Sequence, residues 1–210
     1  MVKSMMDNNI IEFKKFLNNE FHNLKDIVST FEECSKDSTN HSFLVSSKQL
    51  TINFDKLTEW EYGGNLVSSA DSMSFTGDSV YLIEFKSGDP TVWEKKFSKL
   101  TSNVIKKIND SDKTISNMYL RAFNCPNKRL KQLFCLVVDS KKMGITPLVS
   151  TLSAISLKNN SNDKEKKLIN ELLPNMLAGV KNPTHYHKID IWYSELFDLY
   201  LSTKGIDSFS

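Results

Sequence analysis

Asp71, Glu84 and Lys86 are the residues of this chain whose types and spacing could do chemistry. Glu84 and Lys86 stand two apart in "SVYLIEFKSG" (79–88), a strand-forming run that closes on a glycine. Side chains alternate faces along a strand, so Leu82, Glu84 and Lys86 share one face. Tyr81, Ile83 and Phe85 share the other, which reads as the core face. "TGDS" (76–79) marks a tight turn, and "NLVSSADSMSF" (65–75) supplies the partner strand. A hairpin centred on Gly77-Asp78 sets Asp71 opposite Glu84. Two carboxylates at that spacing repel each other unless a cation lies between them. Mg²⁺ or Mn²⁺ suits such a place, because Mg²⁺ takes oxygen ligands and keeps several waters. The Phe85 carbonyl could add one more ligand. An ion held there polarises a phosphoryl oxygen and acidifies water. Lys86, a compact and mobile ammonium, would orient the attacking water or offset charge on the phosphate.

The motif (D/E)-x-K by itself carries little information. It occurs at Glu12/Lys14, Glu84/Lys86, Glu94/Lys96, Asp139/Lys141 and Glu165/Lys167. Glu12-Phe13-Lys14 even repeats the same tripeptide. Only the copy at 84–86 ends a strand whose hairpin partner carries an aspartate at the facing position.

The elements that must position these residues follow from periodicity. Ile10, Phe13, Leu17, Phe21, Leu24, Val28 and Phe31 recur at steps of three and four, which predicts one helix from about Met5 to Glu33. "SFLVSSKQLTINF" (42–54) predicts a strand, broken by Gly63-Gly64. Strands then run over 65–75 and 80–86. Trp93, Phe97, Leu100, Val104 and Ile108 predict a helix from about Thr91 to Asn109, followed by a basic linker. "QLFCLVVD" (132–139) has the composition of a buried strand. Helices near 146–158 and 164–179, a strand at "HKIDIWY" and a short final helix complete the chain. The order implies a mixed sheet with helices on both faces, an α/β architecture in one domain over 1–210.

Charge is uneven although the formal net charge is only +2. Residues 1–94 hold 8 Lys/Arg against 15 Asp/Glu, and residues 95–131 hold 10 against 2. An acidic block before a basic one fits a metal-assisted enzyme acting on phosphate, and also fits a solvated lysine-rich surface. No apolar run approaches the ~20 residues of a membrane span. The N-terminal residues lack the apolar region of a secretory signal, and three scattered cysteines form no CxxC pair. The expectation is a cytoplasmic protein with reduced thiols.

With "SAD" (69–71) and "EFK" (84–86), residues 5–139 resemble the PD-(D/E)XK nuclease superfamily, the fold of many restriction endonucleases, Holliday-junction resolvases and RecB-type nucleases. Ala70 stands where that family usually has proline. The resemblance implies a three-layer α/β/α restriction-endonuclease-like core with a mixed central sheet, here with a C-terminal α/β extension over about 140–210. It implies Mg²⁺- or Mn²⁺-dependent phosphodiester hydrolysis, with DNA as the expected partner and a homodimer left open. Members often place an acid on the first helix, which nominates Glu20 as a further metal ligand, ahead of Glu12. They often carry a basic residue on the helix after the lysine, which nominates Lys99 for catalysis and Lys96 for nucleic-acid contact, with Ser102 behind them. Lys128, Arg129 and Lys131 in the basic block are expected to meet phosphates.

Other signals are weaker. His185 and His187 would share one strand face, a conceivable metal pair without a third ligand. Trp192, Tyr193, Phe197 and Tyr200 read as packing of the C-terminal part, and Cys135 as a buried thiol. The competing functional readings are an inactive nucleic-acid- or protein-binding module of the same fold, and an RNase.

Overall fold

The computed structural model describes residues 8–21, 24–37, 41–65, 67–87, 90–125, 127–139, 141–142 and 168–204, with backbone alone at Leu24, 90–98, 168–169 and Lys204. The helix predicted near 146–158 and the Glu165/Lys167 motif lie outside these residues.

The first helix is shorter than its apolar stripe. α1 spans Asn8–Glu20 and buries Ile10, Phe13 and Leu17. After it come a one-turn helix α2 (Leu24–Ile27), strand β1 (Val28–Thr30) and one-turn helix α3 (Phe31–Cys34). The expected continuous helix to Glu33 is therefore wrong. Val28, Ser29 and Thr30 pair antiparallel with Leu50–Ile52 instead. β-Branched Val28 and Thr30 favour that pairing. Thr30 then caps α3 in a capping box, with its hydroxyl accepting from the Glu33 N–H and the Glu33 carboxylate accepting from the Thr30 N–H.

The stretch predicted as one strand over 42–54 divides into β3 (Ser42–Phe43), which pairs with β2 (Lys36–Asp37), and β4 (Leu50–Asn53). Helix α4 (Phe54–Glu61) follows directly, capped by the Asn53 side chain on the Lys56 N–H. The hairpin forms from β5 (Ser72–Thr76) and β6 (Ser79–Lys86), with β5 starting at Ser72 and not, as predicted, at 65. Gly77 at φ 53° supplies the left-handed turn residue.

Helix α5 runs from Pro90 to Phe123, some 34 residues, so the segment read as a basic linker continues the helix. β7 (Lys131–Val138) pairs parallel to β6, and β8 (Tyr186–Tyr193) parallel to β7. A π-helical turn (Leu168–Leu172) leads into α6 (Leu173–Gly179), and α7 (Ser194–Lys204) closes the described chain. The main sheet has the order β1-β4-β5-β6-β7-β8, antiparallel up to β6 and parallel beyond.

Both faces of this mixed sheet are covered. One face carries Val80, Leu82, Phe134 and Leu136, packed with Ile10, Phe13 and Leu17 of α1, Val104, Ile108 and Ile115 of α5, and Met176 of α6. The other carries Ile83, Phe85, Cys135 and Val137, packed on Phe31 of α3 and Phe197 and Leu201 of α7. The larger core thus lies on the Leu82 face and not, as expected, on the Tyr81–Ile83–Phe85 face alone. A strand buried on both sides reads as a nearly continuous apolar run, which hides its inward side. Among the described residues no helix is long and apolar enough to cross a membrane.

Candidate metal and phosphate site

The hairpin register places the site. Ser72 pairs with Ile83 and Met73 with Leu82, so the next position outward sets Asp71 beside Glu84. The Asp71 N–H donates to the Ile83 carbonyl at 3.0 Å, and the Phe54 N–H donates to the Asp71 carbonyl at 3.1 Å. Asp71 is therefore fixed by backbone bonds on both sides. Its Oδ2 accepts from the Phe85 N–H at 2.6 Å. In an antiparallel strand a residue's N–H and C=O point to the same edge. The Phe85 carbonyl therefore faces the Asp71 side, while the Lys86 carbonyl faces β7 and accepts from the Asp139 N–H.

The residue at the centre of the cluster is one that sequence reasoning missed. Lys107 of α5 donates from Nζ to Asp71 Oδ1 at 2.9 Å and to Glu84 Oε2 at 2.7 Å. One ammonium bridges both carboxylates, so the two oxygens stand no further apart than the sum of those contacts. Its signal was present: Leu100, Val104, Lys107 and Ser111 continue the helical step of four, three and four. A lysine at the edge of such a row is ordinarily solvated, so the spacing alone does not reveal its partners. Ser111, one turn further on, accepts the Ala70 N–H at 2.9 Å. A proline at position 70 could not make that bond, because it has no N–H to give.

Lys86 Nζ lies 2.5 Å from Glu84 Oε1, as expected for two residues on one strand face. The contact is ionic without hydrogen-bond geometry, and Oε1 is buried with no hydrogen-bond donor. Glu84 is 0% exposed, whereas the Lys86 side chain is 27% exposed and reaches solvent. Burial first, and then the charge of Asp71, push the Glu84 carboxyl up to about 8 against the pull of Lys86 and Lys107. Burial pulls Lys107 down, but Glu84 and Asp71 outweigh it and hold the ammonium above the ordinary lysine range.

These residues fit a divalent ion. The oxygen donors are hard, and the position between them already accepts a cationic group. Among the described residues no three His, Cys, Asp or Glu side chains gather to hold a metal. The protein would therefore offer two carboxylates and a carbonyl and leave the remainder to water, a pattern Mg²⁺ adopts.

Other nominated residues lie elsewhere. Glu20 pairs with Arg121 Nη1 at 3.4 Å, and Arg121 also binds Glu61 at 2.5 Å. Arg121 follows Lys107 by 14 positions, about 21 Å along the helix, so Glu20 is not brought to Asp71 and Glu84. Glu12 binds Lys128 at 2.7 Å. Lys99 and Ser102 are exposed on α5, and the Lys96 side chain lies outside the described residues. Lys128 also covers the Phe123 ring, Arg129 donates to Ser116 Oγ at 2.7 Å, and Lys131 pairs with Asp78. Lys131 faces Ser79 at the opposite end of β6, five residues or about 16 Å from Glu84. The basic candidates of 128–131 are thus separate from the carboxylate pair.

His185 is not a strand residue facing alongside His187. It sits in a 3₁₀ turn with Nδ1 at 2.9 Å from Asp112 Oδ1, while His187 is exposed in β8. Cys135 is buried as expected, and burial pushes its thiol up to about 12. No protein-family model matches this chain, and no curated protein or solved structure matches it either.

Proposed function

We propose that this chain is a metal-dependent nuclease of the PD-(D/E)XK kind, with a restriction-endonuclease-like core, hydrolysing phosphodiester bonds of DNA. The observation that supports this most is the convergence of Asp71, Glu84 and Lys86 at the open end of one hairpin, with two carboxylates close enough to share a cation. Asp71, Glu84 and the Phe85 carbonyl would hold Mg²⁺ or Mn²⁺. When bound, that ion supplies Lewis-acid polarisation of the phosphoryl oxygen and lowers the pKa of water.

The chain's own residues do the rest. The Phe85 N–H holds Asp71 in one orientation. The burial of Glu84 excludes water from one side of the pair and strengthens every charge interaction there. Lys86, at the solvent edge, can leave Glu84 for the attacking water or the scissile phosphate. Its charge then acts where negative charge grows in the transition state.

The test is cleavage of linear, circular and single-stranded DNA and of RNA, with Mg²⁺ or Mn²⁺, by wild type, Asp71→Ala, Glu84→Ala and Lys86→Ala. Metal-dependent cleavage lost in both carboxylate variants is the expected result. A wild type inactive on every substrate refutes the proposal. A second reading has one observation in its favour: Lys107 and Lys86 already balance both carboxylates. On that reading the cluster is a structural ion-pair network in a binding module without activity.

A further inference from the structure

Lys107 occupies the place a divalent ion would need, and its surroundings offer it a second position. A pocket of about 380 Å³ opens beside the carboxylate pair, lined by Asp55, Lys56, Thr58, Glu59, Ser69 and Lys107 among others. Asp55, in the first turn of α4, accepts from Ser69 Oγ at 2.5 Å, and Ser69 in turn meets Thr58 Oγ1 at 3.1 Å. Among the described residues no lysine or arginine pairs with Asp55. A carboxylate satisfied by one hydroxyl therefore shares a pocket with an ammonium that bridges two others. The neighbouring charges on α5 leave Lys107 alone, because Lys106 pairs with Asp110 at 3.1 Å.

Resting on the nuclease reading above, we propose that Lys107 is a resident cation that yields its place between Asp71 and Glu84 to divalent metal. Its ammonium then turns into the adjoining pocket toward Asp55. Without metal the ammonium, together with Lys86 on Glu84, offsets the charge of the two carboxylates and occupies the position between them. With metal, a second cation between them is repelled, and Asp55, which lines the same pocket as Lys107, offers the ammonium another carboxylate. Lys107 acts here as a positioning residue that sets the metal affinity of the site and couples loading of the ion to a rearrangement beside the substrate.

The experiment is calorimetric titration of metal-free protein with Mg²⁺ at pH 8.5, without substrate, on wild type, Lys107→Met, Asp55→Asn and the double variant. Circular dichroism of each variant verifies folding. Lys107→Met should bind at least about tenfold more tightly, since two charge-assisted bonds no longer need breaking. Asp55→Asn should weaken binding several-fold in wild type and have no effect on Lys107→Met. Equal or weaker binding by Lys107→Met overturns the proposal, as does an Asp55→Asn effect of the same size in both backgrounds, or absence of binding in all four. If Lys107→Met misfolds, Lys107→Gln replaces it with the same expected direction. Cleavage by wild type with no affinity change in Lys107→Met refutes this inference alone. The affinity change without any cleavage refutes the nuclease reading alone.

Discussion

Replacing Glu84 with glutamine should flatten the pH dependence of stability in metal-free solution. The wild-type carboxyl is 0% exposed and is pushed up to about 8 by burial and by Asp71. In the unfolded chain it returns to about 4.5. Between those values the folded protein holds a proton that the unfolded chain has released. Stability therefore falls as pH rises through this window and levels off above about pH 8. One pKa unit corresponds to about 1.4 kcal/mol, so the fall from pH 6 to pH 9 is about 3 kcal/mol. Lys107 is held above the ordinary lysine range and adds no slope there. The four histidines are common to both proteins and cancel in the comparison. Urea unfolding followed by tryptophan fluorescence at pH 6, 7, 8 and 9 in EDTA measures the effect. A wild-type stability as flat as that of Glu84→Gln, or one that rises with pH, refutes the reasoning.

Further outcomes follow from the same geometry. Mg²⁺ should raise the wild-type Tm more at pH 8.5 than at pH 6, because the ion binds the ionised carboxylates, and it should leave an Asp71→Asn/Glu84→Gln variant unmoved. Lys86→Ala should lower kcat by ~10²–10³ with little change in DNA affinity. Lys14→Ala, in the other Glu-Phe-Lys, should leave cleavage nearly intact, as gel assays would show. Charge reversal at Lys128, Arg129 and Lys131 should lower DNA affinity without changing kcat or Mg²⁺ affinity, and salt-insensitive binding would make that block a solvated surface. Gly179→Ala should destabilise by roughly 1–3 kcal/mol in urea, since a Cβ there would sit 2.5 Å from Ile105 Cδ1. Ile105→Ala should relieve most of that penalty.

What the sequence alone revealed was governed by local chemistry. The Gly77 turn and the alternation on either side fix a register, and register alone brings Asp71 to Glu84. The apolar run at 132–139 and the alternating "HKIDIWY" at 187–193 needed only short-range pattern to appear as strands. The break after α1 was hidden because Leu24, Val28 and Phe31 keep the helical step even though Val28 to Thr30 pair with β4. α4 was hidden because eight residues between a strand and a glycine pair give a periodic pattern little room. Lys107 escaped for a different reason. A lysine is ordinarily read as solvated, and only the tertiary approach of α5 to the hairpin reveals two carboxylates waiting for it. The same approach brings Ser111 to the Ala70 N–H. Glu20 failed as a ligand because its position on the stripe edge says nothing about which residue of a neighbouring helix lies across from it, and Arg121 does.

The claim that Asp71 and Glu84 form a divalent-metal site is tested most directly by anomalous diffraction from crystals soaked in Mn²⁺. One peak is expected between the two side chains, within about 2.5 Å of an oxygen of each, with Lys107 Nζ withdrawn from both. No peak there, with Lys107 still bridging the pair at saturating Mn²⁺, would contradict it.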